Sequence, residues 1–505
     1  MVDPAPVSLT AEDGVAAWLA GRSEQVIETS CARIYLAAER ALKVKKPVDL
    51  GFLDFSSLAK RRWALGRELA FNREAAPDLY LGLRRITRGP AGDLALDGEG
   101  ETVEWALEMR RFDEAGVLSN HPEVVEGARA EALGRTIARA HLAAVVTPEG
   151  GGVKALGCTL ATNAEHLRAL APRLGEEAVR RLIAATDEAF ARQGPLLEER
   201  RLAGFARRCH GDLHLGNILY ENGRFTLFDC IEFNDRLSEI DTLYDLAFLV
   251  MDLDFRGRTE AANRVFNAWL DEAARGLPAG LWRGLAALPL MLSARAAVRA
   301  HVAAHSGDDA KALDYLAAAA RHLAPPAPRL IAIGGLSGSG KTTLARRLAP
   351  VIGPAPGAVV LRSDEIRKRQ GRVGALDPLP PKAYGSAATG RVYREMFEVA
   401  AAVLAAGHAV MLDAVFLEAE HRAAAERVAA RAGAPFLGLW LDGDRAVLAH
   451  RLAARTRDAS EADATVLESQ LARDPGPVTW RRLEVGGDGR ERPETLIAGW
   501  ANNSA

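Results

Sequence analysis

Two stretches of this sequence carry side chains whose types and spacing suit the transfer of a phosphoryl group. The first runs from Cys209 to Asn234, CHGDLHLGNILYENGRFTLFDCIEFN. It opens on His210-Gly211-Asp212 and places Asn217 five residues after Asp212. At that spacing one loop offers a carboxylate to take a hydroxyl proton and an amide to hold a metal ion. Ile218–Tyr220 and Phe225–Phe228, joined through Asn222-Gly223, read as a β-hairpin, so the returning strand delivers Asp229 beside the loop. Phosphoryl transfer spreads charge over several oxygens, and positioned acceptors with Mg²⁺ do most of the work. Asp212 is therefore the candidate base, Asn217 and Asp229 are candidate Mg²⁺ ligands, and His210 joins the cofactor-binding set. The rival is a metal held by His210, Asp212 and His214 on one strand face; it leaves Asn217 and Asp229 without a role.

The second stretch is Gly335-Leu336-Ser337-Gly338-Ser339-Gly340-Lys341-Thr342, between a strand at Arg329–Ile333 and a helix over Thr343–Leu348. This is G-x-x-x-x-G-K-[ST] in strand–loop–helix context. The loop curls its backbone N–H groups around phosphates, and the helix start adds partial positive charge. Gly335, Ser337, Gly338, Ser339, Gly340 and Thr343 belong to the cradle; Lys341 reaches the β/γ-phosphates and Thr342 binds Mg²⁺. A strand over Ala358–Arg362 ends at Ser363-Asp364, with Arg367 three residues on. Asp364 suits a second base and Arg367 a cation on the phosphoryl group; the bland alternative is a helix cap with an i,i+3 ion pair. Asp413 ends the buried strand Ala409–Leu412 as a further metal-ligand candidate, the alternative being that AVMLDAVF belongs to substrate binding. Arg451 and Arg455 on the helix expected from Ala446 to Arg455, and Arg457 just after it, read either as lid cations or as a solvated basic face.

These groups need elements to hold them. Residues 8–20 read as a short helix, Val26–Leu36 and Arg40–Lys46 as strands, and Phe55–Arg73 as a helix containing Glu68. Lys43 and Lys45 share one strand face, and either is the candidate for the phosphate-holding lysine that pairs with Glu68. The alternative is a charged edge strand that discourages aggregation. Strands over Leu79–Ile86 and Thr102–Arg110 precede a hinge at Met109–Phe112. Helical patterns then run from about 122 to 205 and from Ile240 to Leu323, interrupted by the hairpin. Asp245, in the acidic start of the helix after the hairpin, is expected to brace the catalytic loop; an exposed helix charge is its alternative.

A chain of 505 residues exceeds one ordinary core. Pro325-Pro326-Ala327-Pro328 divides it, because consecutive prolines cannot continue a helix. The expected organisation is a mixed domain over 1–324 (small lobe about 1–110, helical lobe about 111–324), a linker at 325–329, and an alternating α/β domain over 330–505. A net charge of −2 gives no global footprint for nucleic acid or an anionic membrane. No signal sequence and no uninterrupted apolar span of about 18 residues is legible, so a cytoplasmic protein without a membrane partner is expected. Cys31, Cys158, Cys209 and Cys230 lack C-x-x-C spacing and read as reduced thiols.

With these motifs in place, residues 24–320 resemble the aminoglycoside phosphotransferase and choline-kinase-like branch of the kinase superfamily, through HGDLHLGNILY, FDCIEFN and the downstream DLA at Asp245–Ala247. The resemblance implies a bilobal protein-kinase-like fold that phosphorylates small-molecule hydroxyls with ATP or GTP and Mg²⁺. The chain departs from the pattern in lacking G-x-G-x-x-G over the phosphates, where Glu28–Ala32 stands, and in lacking D-F-G and A-P-E. Residues 329–500 resemble P-loop kinases of small molecules and polynucleotide 5′ ends, through GLSGSGKTT, SDEIRK and RLAARTRDASEAD. The whole looks like the bacterial fusions of these two domain types.

The first reading is a bifunctional kinase with two ATP·Mg²⁺ sites acting on small-molecule hydroxyls. The second is a P-loop kinase regulated by a non-catalytic kinase-like sensor. A 5′-hydroxyl end kinase is a third reading for the P-loop half.

Overall fold

The stretch expected as one strand over 26–36 folds back on itself. Gln25–Glu28 (β1) pairs antiparallel with Ala32–Ala37 (β2). Thr29 closes the turn: its N–H and hydroxyl both donate to Ala32 O, and its hydroxyl accepts from Ala32 N–H. A side chain that satisfies local backbone groups in this way competes with strand continuation. The computed structural model describes residues 11–29, 31–49, 54–454 and 459–485.

In chain order the remaining early elements are α1 (Ala11–Ala20), β3 (Arg40–Lys45), α2 (Leu58–Ala75), β4 (Tyr80–Arg88), β5 (Leu94–Leu96) and β6 (Glu101–Arg110). Helices α3 (Gly127–Ala143), α4 (Gly152–Leu174) and α5 (Glu176–Leu202) lead to β7 (Ala206–Arg208), β8 (Ile218–Glu221), β9 (Arg224–Leu227), α6 (Asp235–Ser238) and β10 (Glu239–Asp241). Next come α7 (Thr242–Phe255), α8 (Thr259–Ala273), α9 (Leu288–His305) and α10 (Asp309–Leu323). The C-terminal part alternates β11 (Leu330–Gly335), α11 (Lys341–Leu348), β12 (Val359–Arg362), α12 (Ser363–Gln370), α13 (Ser386–Ala405), β13 (Val410–Asp413), α14 (Ala419–Arg431) and β14 (Phe436–Gly443). It closes with α15 (Arg445–Ala453), α16 (Ala464–Leu471) and β15 (Arg481–Val485).

One unit comprises residues up to Pro122 together with Arg208–Glu239. Its six-stranded sheet has the order β1-β2-β3-β6-β4-β5. Helix α2 is capped by Ser57 and buries Ala64, Leu65 and Glu68, with Leu65 in the cluster that contains Leu36, Tyr80 and Leu107. The β8–β9 hairpin turns through Asn222 and Gly223, both at positive φ (51° and 76°), as a tight type I′ turn requires.

The other unit comprises Glu123–Arg207 and everything from Ile240 onward. Its parallel sheet has the order β12-β13-β11-β14-β15, which sets the Asp413 strand directly beside the P-loop strand. The helical region packs against this sheet. Asn263 Nδ2 donates to Pro356 O and Ala358 O at 3.1 and 3.0 Å, and Arg275 donates to Val373 O at 2.6 Å. The division by packing therefore does not fall at 325–329, because α3–α5 and α7–α10 share a body with the P-loop sheet. One segment, Ala279–His305, is long and apolar enough to cross a membrane by length and composition. Two thirds of its apolar window is buried inside the fold, where α9 packs on α7, α10 and α4.

Candidate functional sites

In the first unit, strand β3 and helix α2 point charged groups inward. Lys43 Nζ lies 2.6 Å from Glu68 Oε1 and 2.8 Å from Asp229 Oδ1. Lys45 Nζ instead joins Glu68 Oε2 and Glu232 Oε1, both at 2.7 Å. The two lysines, equivalent by strand parity, thus differ in partner, and Lys43 is the one that reaches the metal-ligand candidate. Burial would raise the Glu68 carboxyl, yet the ammonium groups of Lys43 and Lys45 hold it down at about 2. Burial likewise opposes the charge on Lys43, but Asp229 and Glu68 raise its pKa well above the ordinary lysine value.

Asp229 sits at φ 59°, a left-handed conformation that is costly for a residue with a Cβ. Neighbouring groups hold it there. Its N–H donates to Tyr80 Oη at 3.0 Å, and the Cys230 N–H donates to Asn72 Oδ1 at 2.9 Å. Asn72 is fixed in turn by donating to Glu68 O at 3.0 Å. Tyr80 and Asn72 carried no motif signal, and Glu232 lay within FDCIEFN without an assigned part, since their roles depend on what the chain brings to them.

In the loop from His210 to Asn217, Asn217 Nδ2 donates to Asp212 O at 2.9 Å and to Asp212 Oδ2 at 3.0 Å. Asp212 is half-exposed, and His214 Nε2 lies 3.4 Å from its carboxylate. His210 donates through Nε2 to Phe228 O at 2.8 Å and accepts the Asp212 N–H at Nδ1. These bonds tie the loop to the hairpin. Gly211 takes φ 85°, and a Cβ there would meet Leu237 O at 2.7 Å.

In the second unit, Asp245 is fully buried and accepts from His141 Nε2 at 3.0 Å. Trp269 Nε1 donates to the other ring nitrogen of His141 at 3.0 Å. Asp245 is therefore a fixed internal acceptor and not a solvated helix charge.

The P-loop site lies in the same unit. Thr342 Oγ1 donates to Asp413 Oδ2 at 2.6 Å, where β13 runs beside β11. Gly338 takes φ 84°, and a Cβ there would sit 2.6 Å from Leu448 O, so only glycine lets the loop close on its neighbour. Lys341 Nζ donates to Leu336 O at 2.9 Å. The Ser339 hydroxyl is buried with no hydrogen-bond partner among the described residues. A buried orphan hydroxyl inside a loop of this shape fits a phosphate oxygen. Thr342 and Asp413 offer the oxygen ligands a Mg²⁺ ion takes.

The cavity here is about 2410 Å³. That exceeds the roughly 300–1,000 Å³ of a one-ligand cleft, leaving room for a nucleotide and an acceptor. Asp364, Glu365, Arg367 and Arg451 line it with the P-loop, and so do Glu131 and Arg135 of α3 and Arg264 of α8. Arg367 donates to Ala383 O at 2.5 Å, while the i,i+3 ion pair here joins Arg362, at the end of β12, to Glu365 of α12 at 3.1 Å. Arg451 Nη1 lies 3.8 Å from the place a Gly340 Cβ would occupy, so it reaches the loop. Arg455 and Arg457 lie outside the described residues.

Two sets of contacts at this cavity escaped the sequence. Gln470 of α16 accepts the Ser337 N–H at 2.8 Å and donates to Ser337 Oγ at 3.0 Å. Glu461 gathers Lys368, Tyr384 and the Leu379 N–H. Neither has a spacing rule to reveal it. Burial pushes the Glu365 carboxyl up to about 7; Arg362 opposes the rise, and Asp271 and Glu131 add to it.

Residues 93–288 match the model of the phosphotransferase enzyme family, and residues 330–477 match that of an AAA domain. The uncharacterized protein Rv2004c of Mycobacterium tuberculosis (strain ATCC 25618 / H37Rv) is 31% identical over 487 residues, covering 92% of this chain and 93% of that protein. The uncharacterized protein Mb2027c of Mycobacterium bovis has the same identity and coverage. Among solved structures, a gluconokinase from Sinorhizobium meliloti 1021 is 24% identical, covering 35% of this chain and 93% of its own, at a TM-score of 0.25. A choline kinase from Cryptosporidium parvum Iowa II is 9% identical, covering 62% and 93%, at a TM-score of 0.39.

Proposed function

The chain belongs to the family of the Mycobacterium tuberculosis protein Rv2004c, and from that premise we propose a bifunctional phosphotransferase with two separate ATP·Mg²⁺ sites acting on hydroxyl groups of small molecules. The observation that carries this reading is the presence of two phosphate-and-metal constellations, Lys43–Glu68–Asp229 and Lys341–Thr342–Asp413. In the first, Lys43 steadies the nucleotide phosphates, Asn217 and Asp229 hold the metal, and Asp212 takes the acceptor proton. In the second, the P-loop and Arg451 hold phosphates, Thr342 and Asp413 hold the metal, Asp364 takes the proton and Arg367 steadies the transferring group. Bound Mg²⁺ supplies neutralisation of the charge that develops on the phosphate oxygens. The acceptor is a small hydroxyl compound, and the protein works in the cytoplasm.

The test is transfer from γ-labelled ATP into a fractionated metabolite extract, comparing intact protein with Asp212→Ala and Lys341→Ala. Loss of a different labelled product in each variant supports two kinases. If only Lys341→Ala abolishes product, the first region is a sensor. That second reading is favoured by the β1–β2 turn, which Thr29 closes and which has no glycine in the place of a phosphate loop. A third arm offers a 5′-hydroxyl oligonucleotide; labelling there that is lost in Lys341→Ala assigns the P-loop half to nucleic-acid ends.

A further inference from the structure

Apart from both phosphoryl-transfer constellations, the helical region brings three imidazoles together. His301 and His305 lie one turn apart on α9 and so face the same way, and His166 of α4 meets them. One ring nitrogen from each residue lies within 4.8 Å of one from each of the other two. His166 Nδ1 and His305 Nε2 are 3.2 Å apart, and the His166 and His301 rings stack with centroids 4.6 Å apart. Two nitrogens that each bind one tetrahedral Zn²⁺ at about 2.0–2.1 Å stand about 3.3–3.4 Å from one another. The His166–His305 pair already has that spacing.

A second observation concerns how the cluster is held. Asn163, buried on α4 three residues before His166, presents its side-chain oxygen 3.2 Å from His301 Nε2. Its amide donates to Ala294 O at 3.0 Å, which fixes the way the oxygen points. An oxygen acceptor on one ring nitrogen sets the tautomer and the ring orientation, as outer partners do around metal-bound histidines.

We propose that His166, His301 and His305 bind one divalent transition-metal cation of the Zn²⁺ class, tying α4 to α9. An all-imidazole set favours Zn²⁺, Ni²⁺ or Cu²⁺ over Mg²⁺, which takes oxygen ligands, so this ion does not compete with the one at the phosphates. His305 is exposed, so solvent completes the coordination.

The experiment uses the full chain, stripped of metal by EDTA and held in millimolar Mg²⁺. Zn²⁺ is titrated by calorimetry and Co²⁺ by visible absorption, on the intact protein and on His305→Ala and His301→Ala. The expected result is one Zn²⁺ per chain beyond the Mg²⁺ background, nitrogen-ligated Co²⁺ absorption, and at least tenfold weaker binding in each variant. His305→Ala changes an exposed side chain, so its fold is not at risk, and circular dichroism verifies this for both variants. Equal Zn²⁺ affinity in intact protein and folded His305→Ala overturns the proposal, as does the absence of a Zn²⁺ site in the intact chain. Either result leaves the phosphotransferase reading untouched, because that reading is tested by labelled product.

Discussion

Asn267 of α8 accepts the Val360 N–H at 2.7 Å and donates to Ala358 O at 3.2 Å. One amide side chain from the phosphotransferase-like region thus fills the hydrogen-bonding positions that another strand would fill at the β12 edge of the P-loop sheet. Asn263, one turn earlier, donates to the same Ala358 O at 3.0 Å, and Arg369–Asp271 at 2.6 Å and Arg346–Glu131 at 2.7 Å extend the contact. The proline-rich segment at 325–329 therefore joins regions that are already packed together.

Asn267→Ala leaves the half-buried Val360 N–H without its partner. The expected loss is about 1–3 kcal/mol of stability in urea unfolding. Leucine at the same position should be no better, because it restores volume but no acceptor. Unchanged stability in both variants would show that water serves the strand edge equally well.

Lys43 and Lys45 should separate cleanly when assayed in a Lys341→Ala background, where only the first site works. Lys43→Ala is expected to reduce labelled transfer by at least tenfold, through lost phosphate contact. Lys45→Ala strands Glu232 and part of Glu68 in a buried setting and should cost about 3–5 kcal/mol of stability. The check is thermal unfolding beside product formation for each variant.

Thr342→Ala removes a proposed metal ligand and the bond to Asp413. Transfer by the P-loop half should fall by roughly 10²-fold or more, the scale of losing one preorganised electrostatic group. Gln470→Ala should instead raise the KM for ATP more than it lowers kcat, since it only clamps Ser337.

Glu365 supplies a pH test. Its carboxyl is raised to about 7 in the folded protein, so the neutral form is favoured there. Its contribution to stability is full below the ordinary glutamate pKa and is lost as pH rises through about 7. Glu365→Gln should remove that decline between pH 5 and about 8, making the variant relatively more stable at the alkaline end. Parallel stability–pH curves for the two proteins would sink the idea.

What the sequence determined by itself was local chemistry with a short reach. The P-loop is legible because its glycines, Lys341 and Thr342 are contiguous, and the hairpin because Asn222-Gly223 suits a turn with two positive φ angles. The order Lys43 or Lys45, Glu68, Asp212, Asn217, Asp229 is likewise legible, since each lies in a short motif or a periodic element. The tertiary structure decided which lysine reaches Asp229, because two residues on one strand face are equivalent until helix α2 and the Asp229–Glu232 segment are placed against them. It also turned 26–36 into a hairpin, through hydrogen bonds of Thr29 that no alternation of apolar residues encodes. The packing of α8 on the P-loop sheet, the Gln470 clamp and the three-histidine cluster unite residues up to 139 positions apart. Such contacts are set by the packing of whole elements, and sequence spacing carries no record of them.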